Sequence, residues 1–105
     1  MELGELQTRF CDALESGDYQ QGKYALKIEE EEGCYYCALG VASVIVGVIP
    51  DNDEEGLDGK VVDKYALTSE GVIDIIDMND LESFSFSTIA KEIRHNPENY
   101  FKEPK

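Results

Sequence analysis

The sequence predicts an α+β fold: about four helices and a small antiparallel hairpin in a single compact domain. Three observations carry that reading. Apolar residues recur at three- and four-residue steps near both ends of the chain, the spacing of one face of a helix. Between them, "KYALKI" alternates in the manner of a strand. The length of 105 residues, with 42% apolar content, suffices for one modest core but not two. The domain spans residues 1–105, with residues 96–105 expected as a partly ordered C-terminal tail.

The elements follow in order. Leu3, Leu6, Phe10, Ala13 and Leu14 form the inner stripe of a first helix, with Glu2, Glu5, Asp12 and Glu15 outside and Gly17 as its C-terminal cap. Tyr24, Leu26 and Ile28 mark a short strand. The acid run at residues 29–32 and Gly33 read as a turn, because adjacent like charges repel. "YCALGVASVIVGVI" suits either a buried helix or a buried strand on periodicity alone. Its length and its small residues (Ala38, Gly40, Ala42, Ser43) favour a helix that stops before Pro50.

"PDNDEEGLDGK" reads as a loop, and "KVVDKYAL" as a second short strand pairing with the first. The repeated "KYAL" is then two similar strands of one sheet rather than an internal repeat. Thr68 or Ser69 caps a helix whose inward stripe is Val72, Ile73 and Ile76 and which closes at "MND". Ser85 or Ser87 opens the last helix. With Ser85 as cap, Phe84 and Ile89 occupy the positions of a hydrophobic staple, Phe86, Ile89, Ala90 and Ile93 form the stripe, and Pro97 ends it.

Charge sets this chain apart. Twenty-three acids against nine bases give a formal net charge of -14. Direct binding to a nucleic-acid backbone needs clustered Lys and Arg, and the sequence has no such cluster. Anionic membrane surfaces would repel it for the same reason. The opening "MELGELQTRF" lacks the basic start and apolar run of a signal peptide, and the apolar segment at residues 34–49 is short for a bilayer span. The expected setting is a cytoplasm. Three cysteines, an odd number, fit a reducing compartment rather than a disulfide framework.

Individual sites divide sharply. Cys34 and Cys37 form a Cys-x-x-Cys pair, yet a structural zinc site wants four ligands and only Cys11 and His95 remain to complete it. The nearby acid run would raise thiol pKa rather than lower it, which opposes redox chemistry. Buried structural cysteines are the preferred reading. His95 lacks a nucleophile signature around it, and "GLDGK" lacks phosphate-loop spacing. "DNDEEGLDG" resembles a calcium loop until its twelfth position, where Val62 stands in place of a bidentate glutamate. No catalytic residue, metal site or cofactor is assigned.

The acids themselves are the candidate site: Glu29, Glu30, Glu31 and Glu32 on one side of the apolar segment, and Asp51, Asp53, Glu54, Glu55 and Asp58 on the other. A helix between them would hold the two blocks about 20 Å apart at 1.5 Å per residue. Asp63, Asp74, Asp77, Asp80 and Glu82 continue the pattern. Carboxylates on a rigid face can imitate a phosphate backbone toward a groove lined by Lys and Arg.

At "QG" (Gln21, Gly22), "AL" (Ala25, Leu26), "YCALGV" (residues 36–41), "MND" (residues 78–80) and "SFSTIAKEI" (residues 85–93), the sequence resembles a class of small uncharacterised bacteriophage proteins. These share the order Q-G, C-C-L-G-V, L-N-D and S-F-x-x-I-A-x-x-I. Ala38 stands where the second cysteine of that pattern would be, a further point against paired-thiol chemistry. The resemblance implies a phage or prophage protein in the bacterial host cytoplasm. By analogy of type, small acidic phage proteins look like inhibitors of host nucleic-acid enzymes, CRISPR effectors included.

The expectation is therefore a non-enzymatic inhibitor that occupies the basic surface of a nucleic-acid-binding host protein. One alternative is a small-ligand or metal-binding module using Cys34 and Cys37. Another is a homo-oligomeric structural protein with a solubilising surface; a homodimer is compatible with either binding role.

Overall fold

The computed structural model describes residues 2–48 and 58–102. Among these, five α-helices and one three-stranded mixed sheet follow in the order α1 (Glu5–Ser16), β1 (Gln20–Gln21), β2 (Lys27–Glu30), β3 (Gly33–Tyr36), α2 (Ala38–Ile45), α3 (Gly59–Tyr65), α4 (Ser69–Asp80) and α5 (Phe86–His95). A single 3-10 turn, Pro97–Asn99, follows. The α+β class is as the sequence predicts, with one helix and one strand more.

Helix α1 buries Phe10, Cys11 and Leu14 and ends at Gly17, whose φ of 80° is the left-handed C-cap that glycine adopts freely. The hairpin, however, lies elsewhere than the alternation suggested. β2 pairs antiparallel with β3 from Lys27↔Tyr36 to Glu30↔Gly33, so Tyr36, expected to open the helix, instead ends a strand. β1 adds in parallel on the other side of β3 through Gln20↔Tyr35 and Gln21↔Tyr36, giving the order β1-β3-β2. Tyr24 lies in the loop between β1 and β2.

Helix α2 begins only at Ala38, with Cys37 as its N-cap, and is buried from Ala38 through Ser43. Its small face admits close neighbours. A β-carbon placed on Gly40 would stand only 1.9 Å from the Leu26 carbonyl oxygen, so glycine is required there. Around α2 pack α1 and α4, while α1 makes its most extensive contact with α5. Phe10 and Tyr65 meet at 5.5 Å between ring centroids, tilted by 60°, and the Tyr65 hydroxyl donates to the Ala42 carbonyl at 2.9 Å.

Of residues 60–67, expected as a second strand, those as far as Tyr65 lie in helix α3; Ala66 is its C-cap and only Leu67 makes a β-bridge. Val61 and Tyr65, four apart, share its buried side, and Asp58 caps its start by accepting from the Lys60 amide at 2.8 Å. Neither "KYAL" is therefore a strand: the first lies in the loop before β2 and the second closes α3. Thr68 caps α4 through the Gly71 amide at 2.8 Å, and Ser85 caps α5 through the Thr88 amide at 3.2 Å. As far as Lys102, the segment after residue 95 lies on the body of the domain. Tyr100 and Phe101 are buried, Leu67 bridges to Phe101, and the Lys102 amide donates to the Ala66 carbonyl at 2.7 Å.

Candidate binding surface

The acid run sits at the tip of the β2–β3 hairpin. Glu29 and Glu30 end β2 and Glu31 and Glu32 form its turn, all four exposed. Successive strand residues point to opposite faces, so Glu29 and Glu30 splay rather than line one surface. Lys27 pairs with Glu29 at 2.8 Å; that hydrogen bond, chiefly, raises the lysine's pKa. Asp51, Asp53, Glu54 and Glu55 lie outside the described residues. Asp58 is exposed and serves as the α3 cap. The expected spacing needs correction: α2 has 8 residues, about 12 Å at 1.5 Å per residue, and strand β3 separates it from the acid turn.

A second acidic region is built on α4, α5 and the C-terminal segment. Asp74, Asp77, Met78, Leu81, Glu82, Phe84, Glu92 and Tyr100 line an open groove of about 530 Å³. The last turn of α4 contributes the negative end of its dipole here. Glu92 accepts from the Asn96 amide at 3.0 Å and from the Tyr100 hydroxyl at 3.5 Å. Burial first, then Glu92, Asp74 and Glu82, push the Tyr100 phenol up to about 12. Among the described residues, Asp74, Asp77 and Glu82 have no basic partner within 4 Å. Most of these carboxylates were readable as a continuing acid pattern. Glu92 was not, because only the fold brings α5 beside α4.

The outer side of α4 also overturns a sequence expectation. Ile73 and Ile76 do not face the core but are 57% and 39% exposed. The buried side is Gly71, Ile75, Met78 and Asn79, with Val72 half-buried against the core. At about 100° per residue, Ile76, Asp80, Ile73, Asp77, Leu81 and Asp74 follow one another round the outer half of the helix and its C-cap. Gly71 explains this rotation. Its α-carbon lies so close to the Tyr100 backbone that an added β-carbon would sit 2.3 Å from the Tyr100 carbonyl oxygen. That contact turns the 71/75/78 side inward.

The expectation of buried cysteines holds for Cys37 but not for Cys34. Cys37 and Cys11 are buried, and Cys34 is half-exposed on β3. Burial, rather than the acid run, is the main cause lifting the Cys37 thiol to about 11; Asp80 adds to it and the Gly40 and Leu39 amides oppose it. Burial likewise lifts Cys11 to about 11. No group of three or more His, Cys, Asp or Glu side chains among the described residues is placed to hold a metal ion. His95 is exposed in the last turn of α5.

The scattered motif residues converge on one buried polar knot. The Gln21 amide donates to Asn79 Oδ1 at 3.0 Å and to the Phe84 carbonyl at 2.7 Å, and its Oε1 accepts from the Phe86 amide at 3.1 Å. Asn79 Oδ1 also accepts from the Ala38 amide at 3.2 Å, while its Nδ2 donates to the Gly22 carbonyl and to Asp80 Oδ1, both at 2.8 Å. Asp80 in turn accepts from the Tyr24 amide at 3.0 Å. Thus "QG", "CALG", "ND" and "SF" join β1, α2, α4 and α5. No buried side-chain polar atom among the described residues lacks a partner. Their common signal in the sequence was position: each sits at an element boundary, where backbone groups need partners.

Comparison with protein-family models, with curated proteins and with solved structures found no match to this chain. Among the described residues, no helix is long and apolar enough to cross a membrane.

Proposed function

We propose that this protein is a non-enzymatic acidic binder that inhibits a nucleic-acid-binding host protein, such as a CRISPR effector or nuclease, by occupying its basic surface. The setting is the bacterial cytoplasm of a phage host. The observation that carries the reading is the net charge of -14 on a domain whose described acids stand outside a well-packed core. Asp74 and Asp77 are fixed on a capped helix, and the hairpin tip presents Glu29, Glu30, Glu31 and Glu32 at the surface. Charge held on regular elements is ordered before binding, so less side-chain freedom is lost on contact. Complementary charge speeds encounter with a basic groove and excludes anionic competitors.

The test is a pull-down from bacterial lysate with the immobilised protein at low and at physiological ionic strength, followed by DNA displacement from each captured protein. The expected result is a basic nucleic-acid-binding protein held at low salt, released progressively as the Debye length shrinks toward about 8 Å, and stripped of DNA in proportion. Charge reversal at Glu30, Glu31 and Glu32, with Asp74 and Asp77, should abolish capture while circular dichroism stays unchanged. Capture indifferent to both salt and charge reversal would reject this function.

A further inference from the structure

Among the described residues, four large apolar side chains stand well exposed: Tyr24, Ile73, Ile76 and Leu81. Single exposed apolar residues are normal on any surface, but these are not dispersed. Ile73 and Ile76 lie on the outer side of α4 and Leu81 is its C-cap. Tyr24 is tethered to the same helix through its amide, which donates to Asp80 at 3.0 Å. Tyr24 also holds a φ of 68°, a left-handed conformation unfavourable for an aromatic residue, and is 74% exposed. Strain at an exposed aromatic brings nothing to the core.

Charge selects the occupant. Asp74 and Asp77 are interleaved with the isoleucines and continue into the groove. A second copy would bring the same carboxylates against themselves across a two-fold axis, on a chain of net charge -14. A purely apolar partner would leave the acids buried and unpaired. We infer that the outer face of α4, with Tyr24 at its edge, docks a basic amphipathic segment of a partner protein. Apolar side chains of that segment cover Tyr24, Ile73, Ile76 and Leu81, and its Lys or Arg heads reach Asp74 and Asp77. This rests on the cationic partner proposed above and adds to it an apolar anchor, which charge mimicry alone does not need.

Two synthetic peptides of equal positive charge test the inference by NMR titration of the isotope-labelled full chain. One is a lysine–leucine amphipathic helix, the other a lysine–serine peptide of the same length. The lysine–leucine peptide should bind about tenfold tighter or better, with shifts concentrated on α4 and the loop around Tyr24. Ile73→Ser with Ile76→Ser should remove that advantage and leave lysine–serine binding unchanged. Tyr24→Gly, which relieves the backbone strain, provides a second variant that keeps the fold. Equal affinities for the two peptides, or shifts centred on Glu29, Glu30, Glu31 and Glu32, would overturn the docking face while leaving the acidic-binder reading intact. Failure of both peptides to bind at low salt would overturn both. Self-association in sedimentation that Ile73→Ser abolishes would assign the face to a second copy and likewise overturn the inference.

Discussion

Gln21 and Asn79, 58 positions apart in the chain, meet carboxamide to carboxamide at 3.0 Å in a part-buried contact. Asn79 is fully buried, and its side chain serves the first amide of α2, the Gly22 carbonyl and Asp80 at once. Asn79→Ala would take this partner from the buried Ala38 amide and from the part-buried Gly22 carbonyl. A loss of about 2–4 kcal/mol in urea denaturation is expected. Asn79→Asp keeps the acceptor but sets a second carboxylate beside Asp80. Its deficit should shrink as pH falls and the new acid takes up a proton.

Close backbone approach makes a second prediction by contrast. At Gly40 a β-carbon would meet the Leu26 carbonyl oxygen at 1.9 Å and carbon at 2.8 Å, backbone atoms with little room to retreat. Gly40→Ala is expected to cost about 2–3 kcal/mol or to prevent folding. At Gly59, the first residue of α3, nothing among the described residues lies within 4 Å of the added carbon. Gly59→Ala should instead raise stability by about 0.4–1 kcal/mol. Thermal melts of the two variants should therefore shift in opposite directions.

Alkaline pH should weaken the fold in a defined window. Cys11 and Cys37 are both raised from 9.0 to about 11, so the folded state keeps protons that the unfolded chain releases. Stability from these thiols is complete below pH 9 and falls as pH rises toward 11, by on the order of 2 kcal/mol for each thiol. Tyr100, raised to about 12, extends the decline further. Replacing both cysteines with alanine should make the slope between pH 9 and 11 shallower. Denaturant midpoints measured across that range give the comparison.

Arg94 ties α5 to α1 by donating to Asp12 at 2.6 Å and to Glu15 at 2.5 Å. All three side chains are partly solvated, so the clamp is worth only about 0.5–1 kcal/mol despite its short contacts. Arg94→Met should show that loss at low salt and almost none at 1 M, where screening extends to about 3 Å. A deficit unchanged by salt would instead assign the effect to packing of the arginine stem.

Where local chemistry decided structure, the sequence was a sound guide. Gly17 ends α1, Thr68 opens α4 and Ser85 opens α5, each because a particular side chain or φ satisfies a helix end. It misled where two periodicities fitted the same few residues. "KVVDKYAL" alternates tolerably as a strand, yet Val61 and Tyr65 also fall four apart, and Asp58, read as loop, was the cap that settled the matter. On α4 the apolar residues run nearly all round the helix, so composition could not tell which side faces inward. That choice belongs to Gly71 and the arrival of Tyr100 from the far end of the chain. The acid surface was legible as an amount of charge, but its partition into a splayed hairpin tip and a groove beside α4 depends on contacts between distant segments.

The three thiols also give the molecule a clock. The chain has no tryptophan to report on its tertiary state. Cys34, half-exposed on β3 beside the hairpin turn, offers itself to an alkylating reagent first, whereas Cys11 and Cys37 react only when the helices part. The lag between the first mass increment and the next two thus records how often the native domain breathes, with no label added.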